Sequence, residues 1–300
     1  METSTSPTTS TGNGYSAIAS GHKPAPIPQR RQELSVPMRS LNQGAIASGS
    51  PFELRGKRAV ITGATSGMGL AIARAFALHG ADTIISSFDA GDVRSTVETL
   101  ASDGIEVSGT ICDLSSSDNV RSFPAAVTDE FGPIDILIAH ATPFAPMGPI
   151  EQTTREELDR LFSGVLNNFE LMRGFLPMMS NNGGGSIVTT SSIASVRASI
   201  SLGAYGAGKA ATDAFVRSIA AEWGSRGIRI NSIAPSIVRT PFAAPVWDDD
   251  ERGAAAAGKT ALGRIAEPEE VVGAVMLFAS PAGSYITGQT LVIDGGRSIL

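Results

Sequence analysis

From Lys57 onward, short runs of β-branched and other apolar residues alternate with longer stretches whose apolar residues recur on a helical period. Residues 58–62, 83–86, 106–112, 134–138, 185–190, 229–233 and 290–294 read as strands. Their apolar runs are continuous rather than alternating, as in strands covered on both faces. Residues 70–79, 151–179 and 204–221 carry helical patterns between them. Parallel neighbours need a crossover long enough to hold a helix, and right-handed crossovers lay helices on both faces of the sheet. The expected architecture is therefore α/β: a single Rossmann-like, doubly wound parallel sheet of about seven strands flanked by helices. Ligands of such sheets bind beyond the carboxyl ends of the strands, so the residues that follow each strand carry the functional argument.

Residues 1–50 are rich in Ser, Thr, Gly and Pro and poor in large apolar side chains. They cannot bury enough apolar surface to offset the entropy of ordering and are expected to be a disordered tail. Residues 51–300 suit one α/β domain with a large core. The net charge of −6 and the lack of a basic run argue against nucleic acid as a partner. Cys112 is the only cysteine, so no intrachain disulfide forms, which fits a reducing compartment. No apolar run is long enough to span a bilayer, and Arg30-Arg31 is not followed by the apolar stretch of an export signal. A Ser-rich transit peptide competes with plain disorder for the acid-poor tail. The expected location is cytoplasmic. The three histidines are widely separated, and no group has metal-ligand spacing, so no metal is expected.

Thr62-Gly63-Ala64-Thr65-Ser66-Gly67-Met68-Gly69 follows the first strand and opens the first helix. Glycine there lets the backbone turn sharply and approach a pyrophosphate, while the helix N-terminus offers unpaired N–H groups. Gly63, Thr65, Ser66, Gly67, Met68 and Gly69 are accordingly expected to bind a dinucleotide.

Tyr205 and Lys209 stand four residues apart in a helical pattern, so their side chains leave the same face. A neighbouring cation favours phenolate, which would lower the tyrosine pKa from about 10 towards neutrality and make it a general acid/base. Ser192, just past the fifth strand, would present its hydroxyl at the same edge, in reach of a substrate oxygen. Tyr-x-x-x-Lys alone is a weak pattern. Joined in order and spacing with the glycine loop and Ser192, it resembles the short-chain dehydrogenase/reductase family.

The resemblance covers about residues 54 to 297, extending through Arg229-Ile230-Asn231-Ser232-Ile233-Ala234-Pro235, Pro268-Glu269-Glu270-Val271 and Asp294-Gly295-Gly296. It implies that Tyr205 exchanges the substrate proton, Ser192 polarises the carbonyl, and Lys209 tunes Tyr205 and holds the nicotinamide ribose. It also implies cofactor contacts at Ser87, Asp113 (adenine), Ala139, Pro235, Val238 and Thr240. A homotetramer or homodimer is implied as well, with residues 151–179 and the last strand as candidate interfaces.

Three departures from the family pattern stand out. Ala139-His140-Ala141-Thr142 replaces Asn-Asn-Ala-Gly; His140 reads as a structural histidine near the adenine side ahead of a proton carrier or substrate contact. The relay asparagine of the next helix falls on Gly164 or Val165, and Asn167 or Asn168 would compensate only in an irregular helix. At the end of the second strand Ser87 stands where an acid would reject a 2′-phosphate, and Phe88 stands where NADP enzymes often carry Arg. Asp89 would reach the ribose in a tight turn. The cofactor is NADP or NAD, with a lean to NADP.

The leading expectation is hydride transfer between the nicotinamide and a small-molecule carbonyl or secondary alcohol. Non-redox chemistry such as elimination or epimerisation, and a non-catalytic cofactor-binding role, are the alternatives. Residues 241–259 read as a lid, with Trp247 either packed or on the substrate. The acidic run 248–251 argues against a strongly anionic substrate unless it is a solvated face.

Overall fold

The computed structural model describes residues 49–142 and 144–300. The expected disordered tail lies outside the described residues, apart from Gly49 and Ser50. Strands β1 (Arg58–Thr62), β2 (Asp82–Ser87), β3 (Ser108–Ile111), β4 (Ile136–Ala139), β5 (Gly185–Thr190), β6 (Ile228–Pro235) and β7 (Thr290–Ile293) form one sheet. Every pairing is parallel and the order is β3-β2-β1-β4-β5-β6-β7. Val60 lies opposite Ile84 on one side and Leu137 on the other, so β1 and β4 flank the point where the strand order reverses. That point is where a doubly wound sheet opens a crevice.

The helices are α1 (Gly67–Leu78), α2 (Ala90–Ser102), α3 (Ser117–Phe131), α4 (Arg155–Asn181), α5 (Gly203–Trp223), α6 (Ala244–Trp247), α7 (Asp250–Ala257) and α8 (Val272–Ala279). Successive side chains of a strand face opposite ways, and here they feed two separate cores. Val60, Leu137, Ile187 and Ile230 pack with Val120, Phe123, Phe175 and Val216 of α3, α4 and α5. Ala59, Ile61, Ile136, Ile138 and Val188 pack with Ile72 and Phe76 of α1 and Val275 and Phe278 of α8. Both faces are thus apolar, which is why the strands read as unbroken apolar runs.

Element ends depart from the sequence reading for identifiable reasons. The third strand is shorter than 106–112, because β3 is an edge strand paired only with β2. The sixth is longer than 229–233, because β6 is held from both sides. The fourth begins at Ile136, since the Asp135 carboxylate accepts from Lys57 and the Arg58 N–H. Helix α4 starts at Arg155 rather than 151, set by a reciprocal cap between Thr154 and Glu157. Residues 241–259 are mostly helical. Asp249 caps α7, and Asp250 and Glu251 occupy its first turn, where negative charge suits the helix dipole. The acidic run is a helix start.

Candidate active site

The loop after β1 needs glycine for two reasons. Gly63 and Gly67 have φ of 66° and 52°, a left-handed conformation that other residues rarely adopt. A Cβ on Gly69 would lie 2.1 Å from the Gly63 carbonyl oxygen, so α1 presses directly onto the end of β1. The side chain of Ser66, the residue before α1, makes no capping bond. The first-turn N–H groups of α1 are therefore left for an anion. Beside the loop, the Thr62 hydroxyl accepts from the His140 and Ala141 N–H groups at 3.1 and 3.2 Å, tying β1 to β4.

A cleft of about 1390 Å³ runs along the carboxyl edge of the sheet. Gly63, Thr65, Ser66, Gly67 and Met68 form one stretch of its wall. Ser87, Phe88, Asp92 and Asp113 form the end next to β2 and β3. Pro235, Val238 and Thr240 follow β6, and Ser192, Tyr205 and Lys209 lie across from them. Two expected contacts are not in the wall. Gly69 acts through packing, and Ala139 is 2 % exposed, turned into the core beside Leu137 by the strand's alternation. His140, Ala141 and Thr142 take its place at the surface of the cleft. Asp89 is also turned away: its carboxylate accepts from the Asp92 N–H and caps α2. Trp247 is outside the wall too, its indole N–H donating to the Thr240 carbonyl at 3.0 Å.

Tyr205 and Lys209 sit one turn apart at the start of α5. A Cβ on Gly206 would lie 2.4 Å from the Ala194 carbonyl oxygen, so this end of α5 is pressed against the turn Ile193–Ser195. Ser192 precedes that turn, and its hydroxyl oxygen accepts from the Ala194 N–H. The contact holds Ser192 near the Tyr205 phenol, whose pKa its hydroxyl pulls down. Lys209 Nζ lies 5.6 Å from the centre of the tyrosine ring. It donates to the Thr190 carbonyl at 2.7 Å and the Thr142 hydroxyl at 3.0 Å.

The electrostatics correct the expectation of an acidified phenol. Burial pushes the Tyr205 pKa up to about 12, against the opposing pull of Ser192. Burial also brings Lys209 down to about 8, partly offset by Asp213. In both groups the loss of solvation is the largest cause of the shift. Tyr205 is thus held as a neutral phenol near pH 7. His140 is brought down to about 4 by burial and by Lys209, so it is neutral near pH 7. Its Nδ1 lies 2.9 Å from the Thr190 hydroxyl, which places it in the lysine's surroundings rather than near the adenine side.

Helix α4 carries Gly164 and Val165, both buried, where the relay asparagine would stand. It is a continuous α-helix, so no irregularity rotates a neighbour into that role. Asn167 turns to the Leu114 carbonyl and Ser117. Asn168 donates to the Ala141 and Gly164 carbonyls and leaves its buried Oδ1 without a partner among the described residues.

The sequence reading missed three polar groups around the lysine. Thr142 and Thr190 bond it, and Asp213 lies one turn beyond it on α5, 4 % exposed, accepting from the Ser191 hydroxyl at 3.0 Å. The signal for Asp213 was its spacing, four residues after Lys209; Thr142 gave none beyond its place after β4. Among the described residues no group of three metal-ligating side chains occurs, and no helix is long and apolar enough to cross a membrane.

Against known proteins, a family model described as enoyl-(acyl carrier protein) reductase matches residues 63–298. Dehydrogenase/reductase SDR family member 4 of Oryctolagus cuniculus is 34 % identical over 244 residues, 81 % of this chain and 94 % of the relative. The crystal structure of a gluconate 5-dehydrogenase from Burkholderia cenocepacia, in complex with NADP and tartrate, superposes with a TM-score of 0.79 at 27 % identity. That superposition covers 83 % of this chain and 98 % of the other. A 7 alpha-hydroxysteroid dehydrogenase complexed with NADH and 7-oxo glycochenodeoxycholic acid reaches 0.77 at 30 % identity, over 82 % and 96 %.

Proposed function

This chain belongs to the short-chain dehydrogenase/reductase family, and from that premise we propose that it is an NAD(P)-dependent oxidoreductase. It moves a hydride between the nicotinamide and a carbonyl or secondary alcohol, with Tyr205 as general acid/base. The observation that carries this reading is the meeting of Ser192, Tyr205 and Lys209 in the cleft that the glycine loop also lines. Residues 51–300 act as one catalytic domain.

The cleft suits a dinucleotide. The left-handed Gly63 and Gly67 and the open first turn of α1 offer N–H groups to a pyrophosphate. Asp113 and Ser87 take the adenosine end, Pro235, Val238 and Thr240 the nicotinamide end. The cofactor, when bound, supplies or accepts the hydride. The chain's own groups handle orientation and the proton. Ser192 holds the substrate oxygen. Tyr205, protonated at physiological pH, donates its proton to that oxygen as the carbonyl is reduced and recovers one from the alcohol in the reverse direction. The phenolate left after reduction lies close to Lys209, whose charge stabilises it and whose remaining N–H is free for the nicotinamide ribose. With no amide at 164 or 165, the hydroxyl of Thr142 is the group that links Lys209 to the β4 loop.

For the cofactor, Ser87 spares a 2′-phosphate the repulsion of an acid, which favours NADP over NAD. Asp92 in the same wall, with no cation beside Ser87 in that wall among the described residues, keeps the preference small. Exposed apolar residues on α4, Phe162 and Leu166, and on β7, Leu291, supply faces for a homotetramer or homodimer. A cytoplasmic setting goes with the single reduced cysteine, Cys112.

The test follows dihydronicotinamide absorbance with NADPH and NADH over a panel of ketones and alcohols. Turnover should fall by about 10²–10⁴-fold in Tyr205→Phe, while dinucleotide binding persists. Wild-type turnover in that variant would sink the assignment of the proton to Tyr205. Dinucleotide binding with no redox turnover over the panel would favour the non-redox or non-catalytic alternatives.

A further inference from the structure

Charge is distributed unevenly along the cleft. Its acidic side chains, Asp92 and Asp113, belong to the end beside β2 and β3. The wall also carries Arg197, Arg297, Ser236 and Lys259. Arg197 lies five residues past Ser192, and its N–H donates to the Ile193 carbonyl at 3.0 Å, so the chain folds back over the Ser192 turn. Arg297 lies on the turn after β7. One Arg197 guanidinium N–H donates to the Arg297 carbonyl at 2.7 Å, and an Arg297 guanidinium N–H reaches the Ser236 hydroxyl at 3.4 Å.

Of the other arginines, Arg160 in the cleft wall stacks over the Phe144 ring, and Arg252 in the wall and Arg239 and Arg264 outside it have ion-pair partners. Arg239 meets Glu267 at 3.2 Å, Arg264 meets Glu270 at 2.6 Å, and Arg252 meets Asp249 at 3.5 Å. Among the described residues, Arg197 and Arg297 have no carboxylate within ion-pair distance. The nearest acid in sequence, Asp294, uses its oxygens to accept from the Gly296 and Ser298 N–H groups at 2.9 and 2.6 Å. Burial and the charge of Arg197 both work against protonation of Arg297, while Asp294 offsets them only in part. Two cations held together by neutral acceptors are under mutual repulsion that an anion between them would relieve. Guanidinium groups suit such an anion, because their planar donors match the paired oxygens of a carboxylate or phosphate.

We propose that Arg197 and Arg297 form an oxyanion clamp, so that the substrate of this oxidoreductase carries a carboxylate or phosphate group apart from its reacting carbonyl. This rests on the carbonyl-reduction reading above and names its substrate class. It reverses the expectation drawn from the acidic run 248–251, which is spent on starting α7.

The test compares matched pairs: oxo-carboxylates against their primary amides, and dihydroxyacetone phosphate against dihydroxyacetone. The wild type should show kcat/KM at least tenfold higher for the charged member of one pair series, which also separates carboxylate from phosphate. Arg197→Gln and Arg297→Gln should each cut that charged-over-neutral ratio about tenfold through KM, with Arg197→Lys restoring part of it. Arg121→Gln, far from the cleft on α3, should leave the ratio alone. Equal kcat/KM for charged and neutral members, or ratios unmoved in both glutamine variants, overturns the clamp while leaving carbonyl reduction standing.

If no compound is turned over, the clamp is read by binding instead. Thermal unfolding of the NADP-loaded protein with succinate or inorganic phosphate should show a stabilisation that Arg197→Gln loses. No stabilisation by either anion in the wild type overturns it. Arg197 is exposed, so its replacement by glutamine is not a folding lesion.

Discussion

Lys209 has three N–H bonds, and the Thr190 carbonyl and the Thr142 hydroxyl take two of them. With its pKa near 8, its charge is lost as pH rises through that value, and with it the stabilisation of the Tyr205 phenolate formed in reduction. His140 makes a sharper prediction. Its folded pKa of about 4 lies below the unfolded value near 6.5, so the unfolded chain binds the extra proton between those pH values. Stability contributed by neutral His140 is therefore complete above about pH 6.5 and lost as pH falls towards 4. At about 1.4 kcal/mol per pKa unit the loss amounts to roughly 3–4 kcal/mol. His140→Asn should flatten this acid limb in urea titrations at pH 4.5 and 7, whereas an equally steep limb would show that the histidine is not its source. The sequence marked His140 as unusual, yet its neighbours could not be read, because Thr190 and Lys209 meet it only across the strand order.

Helix α1 shows what one element demands of its first turn. In Gly69→Ala the new methyl would meet the Gly63 carbonyl oxygen, and relief requires the loop backbone to move. Stability should drop by about 1–3 kcal/mol, as for overpacked sites. Dinucleotide affinity should fall at least tenfold, since the N–H groups of the same turn shift with it; unchanged affinity by fluorescence titration would contradict that coupling. Elements of this kind were legible in sequence because their signals are local: a glycine at fixed spacing, a Tyr and Lys one turn apart, an unbroken Val/Ile run. What escaped depended on partners distant in sequence. Asp135 ends the N-terminal extension of β4 through Lys57 and Arg58, which are 78 and 77 residues away. Ala139 was placed at the cleft because motif alignment gives position but not facing, and the alternation of β4 sends it inward. Asp249 looked like part of an acidic surface until the cap of α7 explained it.

Over the whole molecule, the cleft draws its walls from the loops after β1, β2, β3, β4, β5 and β6, so a dinucleotide recognises only the folded sheet. Saturating NADP at a hundred times its dissociation constant should add about 2.7 kcal/mol of stability. For a domain of this size that corresponds to a rise of roughly 5–10 °C in Tm. Tyr205→Phe should keep the rise and Gly69→Ala should lose most of it, as read by thermal unfolding with and without NADP. A rise that survives in Gly69→Ala would place the ligand elsewhere than the glycine loop. The two cores on either side of the sheet are closed by different helices, but both reach the same carboxyl edge. One hydrogen bond there joins distant tasks. The Trp247 indole is fastened to the carbonyl of Thr240, whose methyl lies over Gly67. Although the indole lies outside the cleft wall, a change that removes it also frees the residue that roofs the glycine turn, so a position remote from the loop helps to hold its shape.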